Sequence, residues 1–420
     1  MKWRDVVLLV MLISSVTGCA GAPIAPTATL VGPTPTPVQP TATQEAAMPT
    51  ETLVSPTPEP TLEPTPASPT STPAEAGRPP GEMIQSEEAR VTSPDVAAET
   101  LETLVAGNSA FAFDLYQALD KEGNLFYSPH SISLALAMTY AGAEGDTAQQ
   151  MADVMRFDLP QARLHPAFNA LDLALAQAGD EMGDGTEERF QLNVANAIWG
   201  QQGYDFLSDY LDLLAQNYGA GLRVLDFEAA PEEARQTINE WISQETEGKI
   251  KDLIPRGGVN PLTRLVLTNA IYFNAAWSRP FESSLTADGP FHLLGGGEVD
   301  VPMMRQTESF GYADGDGYQA IELPYDGREL SMVVLLPARG NFESFEASLD
   351  AQQVDAILGS LEQREINLTM PRFEFESYFS LKETLSALGM PVAFSAGADF
   401  SGMTGDRDLF IADVVHKAFV

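Results

Sequence analysis

Residues 263–274 read TRLVLTNAIYFN, and apolar side chains occupy both odd and even positions of this stretch. A strand with one solvated face alternates apolar and polar residues, whereas a strand buried on both faces reads as a nearly continuous apolar run. The stretch therefore predicts a central strand in a sheet that is covered on both sides. Asn269 is a polar residue near its middle.

The elements around this strand indicate an α+β domain. Ser128 suits an N-cap and Pro129 the first position of a helix whose apolar run 132–138 predicts burial. Apolar residues at helical spacing predict further helices at 97–119, 146–157, 161–178, 205–217 and 231–247, and a strand at 190–199 contains Asn196. After residue 290 the pattern predicts strands at 299–304, 318–323, 330–336, 365–370 and 372–376, with helices near 342–360 and 380–388. Helices first and strands later favour an α+β domain with large sheets.

Residues 1–18 have the pattern of a signal peptide. Lys2 and Arg4 precede an apolar run over 6–13, which is shorter than the roughly 20 residues that span a bilayer. Small residues before Cys19 resemble the lipobox of bacterial lipoproteins, so we expect Cys19 to be acylated and the protein to be extracytoplasmic, lipid-anchored to the cell membrane or secreted. An ordinary signal peptide followed by a chance cysteine is the alternative.

Residues 19–94 are expected to form a disordered tether rich in proline and threonine. Residues 20–80 hold 16 of the 30 prolines and no aromatic side chain, so they lack the apolar surface for a core. Such a composition favours extended polyproline II, which acts as a semi-rigid spacer.

Residues 95–420 have the composition of one soluble domain, which we expect to be monomeric. The 59 acidic residues outnumber the 23 Lys and Arg, and the net charge of −36 opposes nucleic-acid binding. Cys19 is the only cysteine, so its acylation would exclude disulfides, Cys-ligated metals and a cysteine nucleophile.

Several motifs in a fixed order carry a family resemblance. They are NLFYSPHS (124–131), INEW (238–241), TEGKI (246–250), LTNAIYF (267–273), WSRPF (277–281), VPMM (301–304) and DVVHKA (413–418). Together they resemble the serpin family over about residues 97–420. Any one motif alone would be a weak signal.

The resemblance implies a fold of three β-sheets and eight or nine helices with a metastable native state. In that family a target serine protease, or in some cases a cysteine protease, cleaves an exposed loop. The cut loop then inserts as a strand into the largest sheet and distorts the protease before deacylation. The implied activity is therefore suicide inhibition, and the implied partner is a protease.

The residues implied to control opening of the sheet carry over one by one. They are Ser128, Ser131, Asn196, Asn269 and His416, which we name the shutter cluster. An unpaired buried polar group costs roughly 1–3 kcal/mol, so these side chains are expected to bond to one another. The alternative for each is a satisfied polar residue of the core without a switching role, and this alternative is favoured for Asn196 taken alone.

The resemblance also assigns the breach and the start of the hinge. Trp277 matches the family's aromatic residue at the breach, where the loop first enters the sheet, and Ala418, Phe419 and Val420 match the start of the hinge. The reactive bond would follow Val420. We therefore expect the chain to lack the reactive loop and the C-terminal strands, and we expect 95–420 to be a C-terminally incomplete serpin domain.

A hydrolase or a metalloprotein is the rival interpretation. The four histidines are His130, His165, His292 and His416, and none has a nucleophile-elbow context such as GxSxG. No two are spaced to share a helix face, and no DxDxDG loop is present. The sequence predicts no enzyme, no metal site and no cofactor. A non-inhibitory scaffold of the same family stays open, because hinge residues beyond Val420 would discriminate the two.

Overall fold

The computed structural model describes residues 10–12, 83–119, 123–181 and 191–420. The expected signal peptide outside 10–12, Cys19 and the tether up to residue 82 lie outside the described residues. Among the described residues, no helix combines the length and the apolar composition that crossing a membrane requires.

The described chain contains ten α-helices and twelve strands. The helices are α1 Ala98–Ala118, α2 Pro129–Tyr140, α3 Gly145–Met155, α4 Gln161–Glu181, α5 Ser208–Tyr218, α6 Pro231–Glu245, α7 Phe342–Ser348, α8 Ala351–Gly359, α9 Lys382–Leu388 and α10 Ser401–Thr404. The strands are β1 Val10–Leu12, β2 Met83–Ile84, β3 Gln191–Gln201, β4 Leu222–Leu225, β5 Leu265–Asn274, β6 Ala287–His292, β7 Glu298–Gly315, β8 Tyr318–Pro324, β9 Ser331–Pro337, β10 Glu362–Pro371, β11 Glu376–Ser380 and β12 Ile411–Phe419.

Six strands form the main sheet, in the order β11-β12-β5-β3-β4-β2. One face packs against α1, α2, α4 and α5 through a core that includes Leu265 and Leu267. The other face packs against α6 through a second core that includes Val266 and Ala270. Alternate residues of β5 thus enter different cores, which confirms the predicted central strand covered on both sides.

The second sheet has the order β1-β9-β8-β7-β10, with β6 also paired to β7. Strand β7 is 18 residues long, and it pairs with β6 over residues 298–303, with β10 over 303–312 and with β8 over 311–315. This continuous strand joins the regions that the resemblance treats as two sheets. The expected three sheets therefore appear as two, and the described residues hold ten α-helices rather than eight or nine.

Two element predictions after residue 340 are wrong in detail. The helix expected over 342–360 is interrupted, because Asp350 caps the start of α8 by accepting a 2.7 Å hydrogen bond from the Gln353 amide. The strand expected at 372–376 begins only at Glu376 as β11. Residue 372 instead donates its amide to the carbonyl of Pro302, at 2.8 Å.

Residues 83–96 pack on the domain, although the sequence places the domain start at residue 95. Strand β2 pairs antiparallel with β4 at the edge of the main sheet. The Arg90 guanidinium donates to Asn169 at 2.9 Å and to the Asp172 carboxylate at 2.5 Å. The Val91 amide donates to the Gln216 carbonyl at 2.9 Å. These contacts hold the segment against α4 and α5.

Helix α2 lies beneath the main sheet, where it contacts β3 and β5. Ser128 is its N-cap, and its side chain accepts from the Ser131 amide. Every residue from Ser131 to Tyr140 is buried. The predicted Ser-Pro helix start and the predicted burial are both confirmed, and this packing brings the N-terminus of α2 under the centre of the sheet.

Candidate functional site: a polar cluster at the seam of the main sheet

Strands β5 and β12 meet in parallel at the middle of the main sheet. We name this junction the seam. Eight residue pairs form its ladder, with a register irregularity between Ile411 and Asp413. The outer neighbours of both strands, β3 and β11, are antiparallel to them. Parallel pairing is slightly weaker per residue than antiparallel pairing, so the seam is a comparatively weak junction inside the sheet.

A hydrogen bond between side chains crosses the seam. Asn269 on β5 and His416 on β12 stand opposite each other in the register. The imidazole Nδ1 of His416 bonds the Asn269 Oδ1, and the Asn269 amide donates in turn to the Asn196 Oδ1 on β3. Both Asn269 and His416 are fully buried. The polar chain therefore runs across three adjacent strands.

The same imidazole reaches the start of α2. The Ser128 amide donates to Nε2 of His416 at 3.1 Å, and the hydroxyls of Ser128 and Ser131 lie 2.8 Å apart. Since an amide can only donate, Nε2 must be the unprotonated nitrogen, and Nδ1 carries the proton that Asn269 accepts. His416 is thus held as one neutral tautomer. The structure brings all five shutter residues into one connected network.

Burial sets the charge state of this histidine. Removal from water lowers the pKa of His416 to about 3, and the bond to Asn269 offsets this only in part. A second proton would also face the Ser128 amide, which has no lone pair to accept it. The cluster is therefore uncharged at neutral pH, and its bonds are all between neutral groups.

One donor of the cluster has no partner. The Asn196 Nδ2 is buried without a hydrogen bond in the structure, and the Ser133 hydroxyl on the sheet-facing helix α2 shares this condition. Such groups carry a desolvation cost of about 1–3 kcal/mol each. The network thus retains hydrogen-bonding capacity that its present arrangement does not use.

Trp277 lies beyond the end of β5, away from the shutter cluster. Its ring stacks on Tyr325 with centroids 4.7 Å apart and planes 13° apart, and Phe281 meets it edge-on at 6.2 Å. An isolated backbone bridge also joins Trp277 to Tyr325. These contacts attach the end of β5 to the turn after β8.

The predicted hinge residues form the last part of the described chain. Ala418 is fully buried and stands between Ile271 on β5 and Ser377 on β11. Val420 exchanges two backbone hydrogen bonds with Phe375, each of 3.0 Å. Residues 418–420 therefore continue the seam strand to its end.

A family model described as serpin (serine protease inhibitor) matches residues 106–420. The chain belongs to the serpin family. An uncharacterised serpin-like protein of Thermococcus kodakarensis is 40% identical over 331 residues, which cover 78% of this chain and 75% of that protein. The bovine leukocyte elastase inhibitor is 40% identical over 333 residues, covering 76% of this chain and 85% of the relative.

Solved structures agree with the serpin fold. Uncleaved ovalbumin superposes with a TM-score of 0.70 at 28% identity, and the match covers 76% of this chain and 88% of ovalbumin. Human thyroxine-binding globulin gives a TM-score of 0.67 at 28% identity, with 76% and 86% of the two chains covered. A thermophilic serpin, tengpin, shares the fold with a TM-score of 0.70 at 24% identity.

Sequence reasoning missed several residues that lie near the shutter cluster. The Ser377 hydroxyl accepts from the Phe126 amide at 3.0 Å, and the Phe379 ring lies nearly parallel to the His416 ring, 6.2 Å from it. Trp199 donates to Thr268 at 2.8 Å beside the seam. A strand prediction for 376–380 would have placed Ser377 and Phe379 on β11, but the predicted strand ended at residue 376. Among the described residues, no group of three or more His, Cys, Asp or Glu could hold a metal ion.

Proposed function

We propose that this serpin is a suicide inhibitor of serine proteases, and secondarily of cysteine proteases, in which a cleaved loop inserts as a strand between β5 and β12. The single observation that carries the proposal is the parallel seam with its neutral cross-strand bond. A segment that turned back from the carboxyl end of β12 would run antiparallel to both seam strands. Insertion would then replace one parallel ladder by two antiparallel ladders, which are more stable per residue.

The energetics favour a seam that opens and closes again. Opening breaks the backbone hydrogen bonds of the ladder and the side-chain bond between Asn269 and His416. Each single hydrogen bond contributes about 0.5–1.5 kcal/mol net. The inserted strand restores backbone partners to both edges, and its own apolar residues fill the two cores that flank the sheet. The unpaired Asn196 amide is then available to a new neighbour.

The partner class follows from the relatives. Several curated relatives at 37–40% identity are named leukocyte elastase inhibitor, in cattle, pig and frog among others. This supports a protease as the partner and a role as inhibitor rather than enzyme.

We also propose an extracytoplasmic location, with the domain anchored by lipid at Cys19 and acting as a monomer. The support is the sequence pattern of residues 1–18 and the proline-rich segment that follows. Metabolic labelling with a palmitate analogue tests the anchor. Label that persists in Cys19→Ser protein would disprove it.

Strand insertion can be tested on the 420-residue chain with a synthetic peptide of about ten small, β-favouring residues. Incubation is expected to raise the thermal midpoint as the peptide enters the seam. The matched control is a seam locked by Ala270→Cys with Lys417→Cys in a Cys19→Ser background. These positions face each other in the register, and neighbouring strands lie about 4.8 Å apart, which a disulfide can span.

In the oxidised, locked protein the peptide should not raise the thermal midpoint, and after reduction of the disulfide it should raise the midpoint again. An equal response in the oxidised form would place the peptide elsewhere and refute insertion at the seam. Lys417→Cys alone controls for the loss of its ion pair with Glu376, whose N to O distance is 3.1 Å.

Inhibition itself is tested by incubating the protein, as produced from its own gene, with elastase-, trypsin- and subtilisin-type proteases. We expect an SDS-stable adduct with at least one of them, and no adduct in the oxidised seam-locked variant. Cleavage without any adduct, and without a gain in heat stability of the cut protein, would favour the non-inhibitory alternative. That alternative, a binding scaffold, has its own support in the structural likeness to thyroxine-binding globulin.

A further inference from the structure

A cavity of about 280 Å³ opens beside Trp277, between the segment that follows β5 and the second sheet. We name it the Trp277 cavity. Its walls come from β7, the end of β8, the turn that follows β8, and the start of β10. It lies outside the shutter cluster and outside the ladder of the seam, although Trp277 itself is the residue that the family resemblance matches to the breach.

One side of the Trp277 cavity is aromatic and apolar. Trp277, Phe310 and Leu323 line it together with Pro324. Phe310 and Leu323 are almost completely buried, at 3% and 1% exposure. Trp277 is held from behind by its stack on Tyr325. This side of the cavity therefore offers an apolar surface that includes one indole ring held by a stacking contact.

The other side is polar and carries two arginines. Arg279 and Arg328 line the cavity, and Gln306, Ser309 and Gln363 add amide and hydroxyl groups. Arg279 pairs with Glu308 at 2.7 Å. Arg328 has no ion pair with any residue in the described part of the chain. In a chain of net charge −36, an unneutralised arginine at a cavity creates a local site for an anion.

The backbone conformation of Arg328 is held by the turn in which it lies. It has a φ of 63°, a left-handed conformation that non-glycine residues rarely adopt. Two turn hydrogen bonds hold it there, from the Arg328 amide to the Tyr325 carbonyl at 3.1 Å and from the Tyr325 amide to the Leu330 carbonyl at 2.9 Å. Tyr325 is also the ring on which Trp277 stacks. The arginine and the aromatic wall are thus positioned by the same turn.

We propose that the Trp277 cavity binds a small organic carboxylate with a flat apolar body. The body would lie along Trp277 and Leu323, and the carboxylate would accept from the Arg328 guanidinium. A planar guanidinium matches a carboxylate with two parallel hydrogen bonds, which an ammonium cannot provide. An apolar surface beside placed polar groups is a combination that small-molecule sites use to orient a ligand.

The binding test uses phenylacetate as the probe and follows the indole signals of ¹⁵N-labelled protein. Trp277 is assigned by loss of its signal in Trp277→Phe. We expect phenylacetate to shift the Trp277 signal and to leave those of Trp199 and Trp241 unchanged. Phenylacetamide, which has the same shape without the charge, should bind about tenfold more weakly, because it loses a charge-assisted bond.

Arg328→Gln should weaken the binding of phenylacetate about tenfold and leave the affinity for phenylacetamide unchanged. This pattern distinguishes loss of the positive charge from unfolding of the variant, which would weaken the binding of both probes. Arg279→Gln should have a smaller effect, since Glu308 already neutralises that side chain. Arg163→Gln, on exposed surface of α4, is the matched control and should change nothing. Equal affinity for the acid and the amide, or equal affinity in wild-type and Arg328→Gln protein, would overturn the proposal. Neither result depends on whether the protein inhibits a protease.

Discussion

Lowering the pH from about 7.5 to about 5 should destabilise this serpin through two buried neutral histidines. His416 has a pKa of about 3 and His165 of about 4 in the folded state, in both cases because burial disfavours the charged form. Unfolded histidine titrates near 6.5. Since the folded values are depressed, stability is fully present above about pH 6.5 and is lost as the pH falls from there towards the folded values.

The size of the effect follows from these values. At about pH 5 the unfolded chain holds close to one more proton per histidine than the native chain does. Integrated from pH 7.5, this amounts to about 2 kcal/mol for His416 and about 2 kcal/mol for His165. His130, whose pKa burial also lowers, acts in the same direction.

Calorimetric unfolding in buffers of different ionisation enthalpy counts these protons directly. Wild-type protein should take up at least two protons on unfolding at pH 5, and His416→Gln or His165→Gln should each remove about one. His165 is the matched control, because it is fully buried against the Tyr218 hydroxyl at 2.7 Å but lies outside the shutter cluster. If His416→Gln retained the proton uptake of the wild-type protein, the neutral tautomer argued for the seam would be wrong.

Three further changes test the packing around the seam. Ser128→Ala removes the cap of α2 and its bond to Ser131, and should lower the free energy of unfolding by about 1–2 kcal/mol in urea titrations, without changing the slope of the transition. Gly107→Ala would put a Cβ 2.3 Å from the Arg156 carbonyl oxygen, so its thermal midpoint should fall, whereas Gly359→Ala meets nothing within 4 Å and should be nearly neutral. Arg90→Ala should expose residues 83–96 to limited proteolysis before the rest of the domain is cut, and simultaneous cutting would contradict the edge-packed arrangement.

The sequence predicted the secondary-structure elements that depend on apolar periodicity and on helix capping. Strand β5 was predicted because burial on both faces leaves a continuous apolar run, and α2 because Ser128 and Pro129 specify a helix start.

The contacts between residues distant in sequence could not be predicted from residue spacing. His416 meets Asn269 only through the parallel pairing of β12 with β5, and the resemblance, not periodicity, named them together. Residues 83–94 were assigned to the tether because the composition of an ordinary soluble domain begins only at about residue 95, whereas the contacts of Arg90 and the pairing of β2 exist only in the folded structure. The Trp277 cavity depends on a turn whose left-handed arginine has no sequence signature.

The neutrality of the shutter cluster bears on how a sheet could open at this place. A buried ion pair across the seam would cost 3–5 kcal/mol when one partner withdrew, because a bare charge would be left in the core. The bond between Asn269 and His416 links uncharged groups, so parting them exposes only polar atoms that a third strand can satisfy. The Ser128 amide meanwhile holds His416 in one tautomer from the helix side. Asn269→Asp would place a carboxylate beside His416, which should raise the pKa of the imidazole. The resulting ion pair should make separation of β5 and β12 less favourable. The prediction for this variant is slower uptake of the strand peptide, because separation of the strands would leave a charge in the core. Faster uptake would show that the cross-seam bond does not restrain opening.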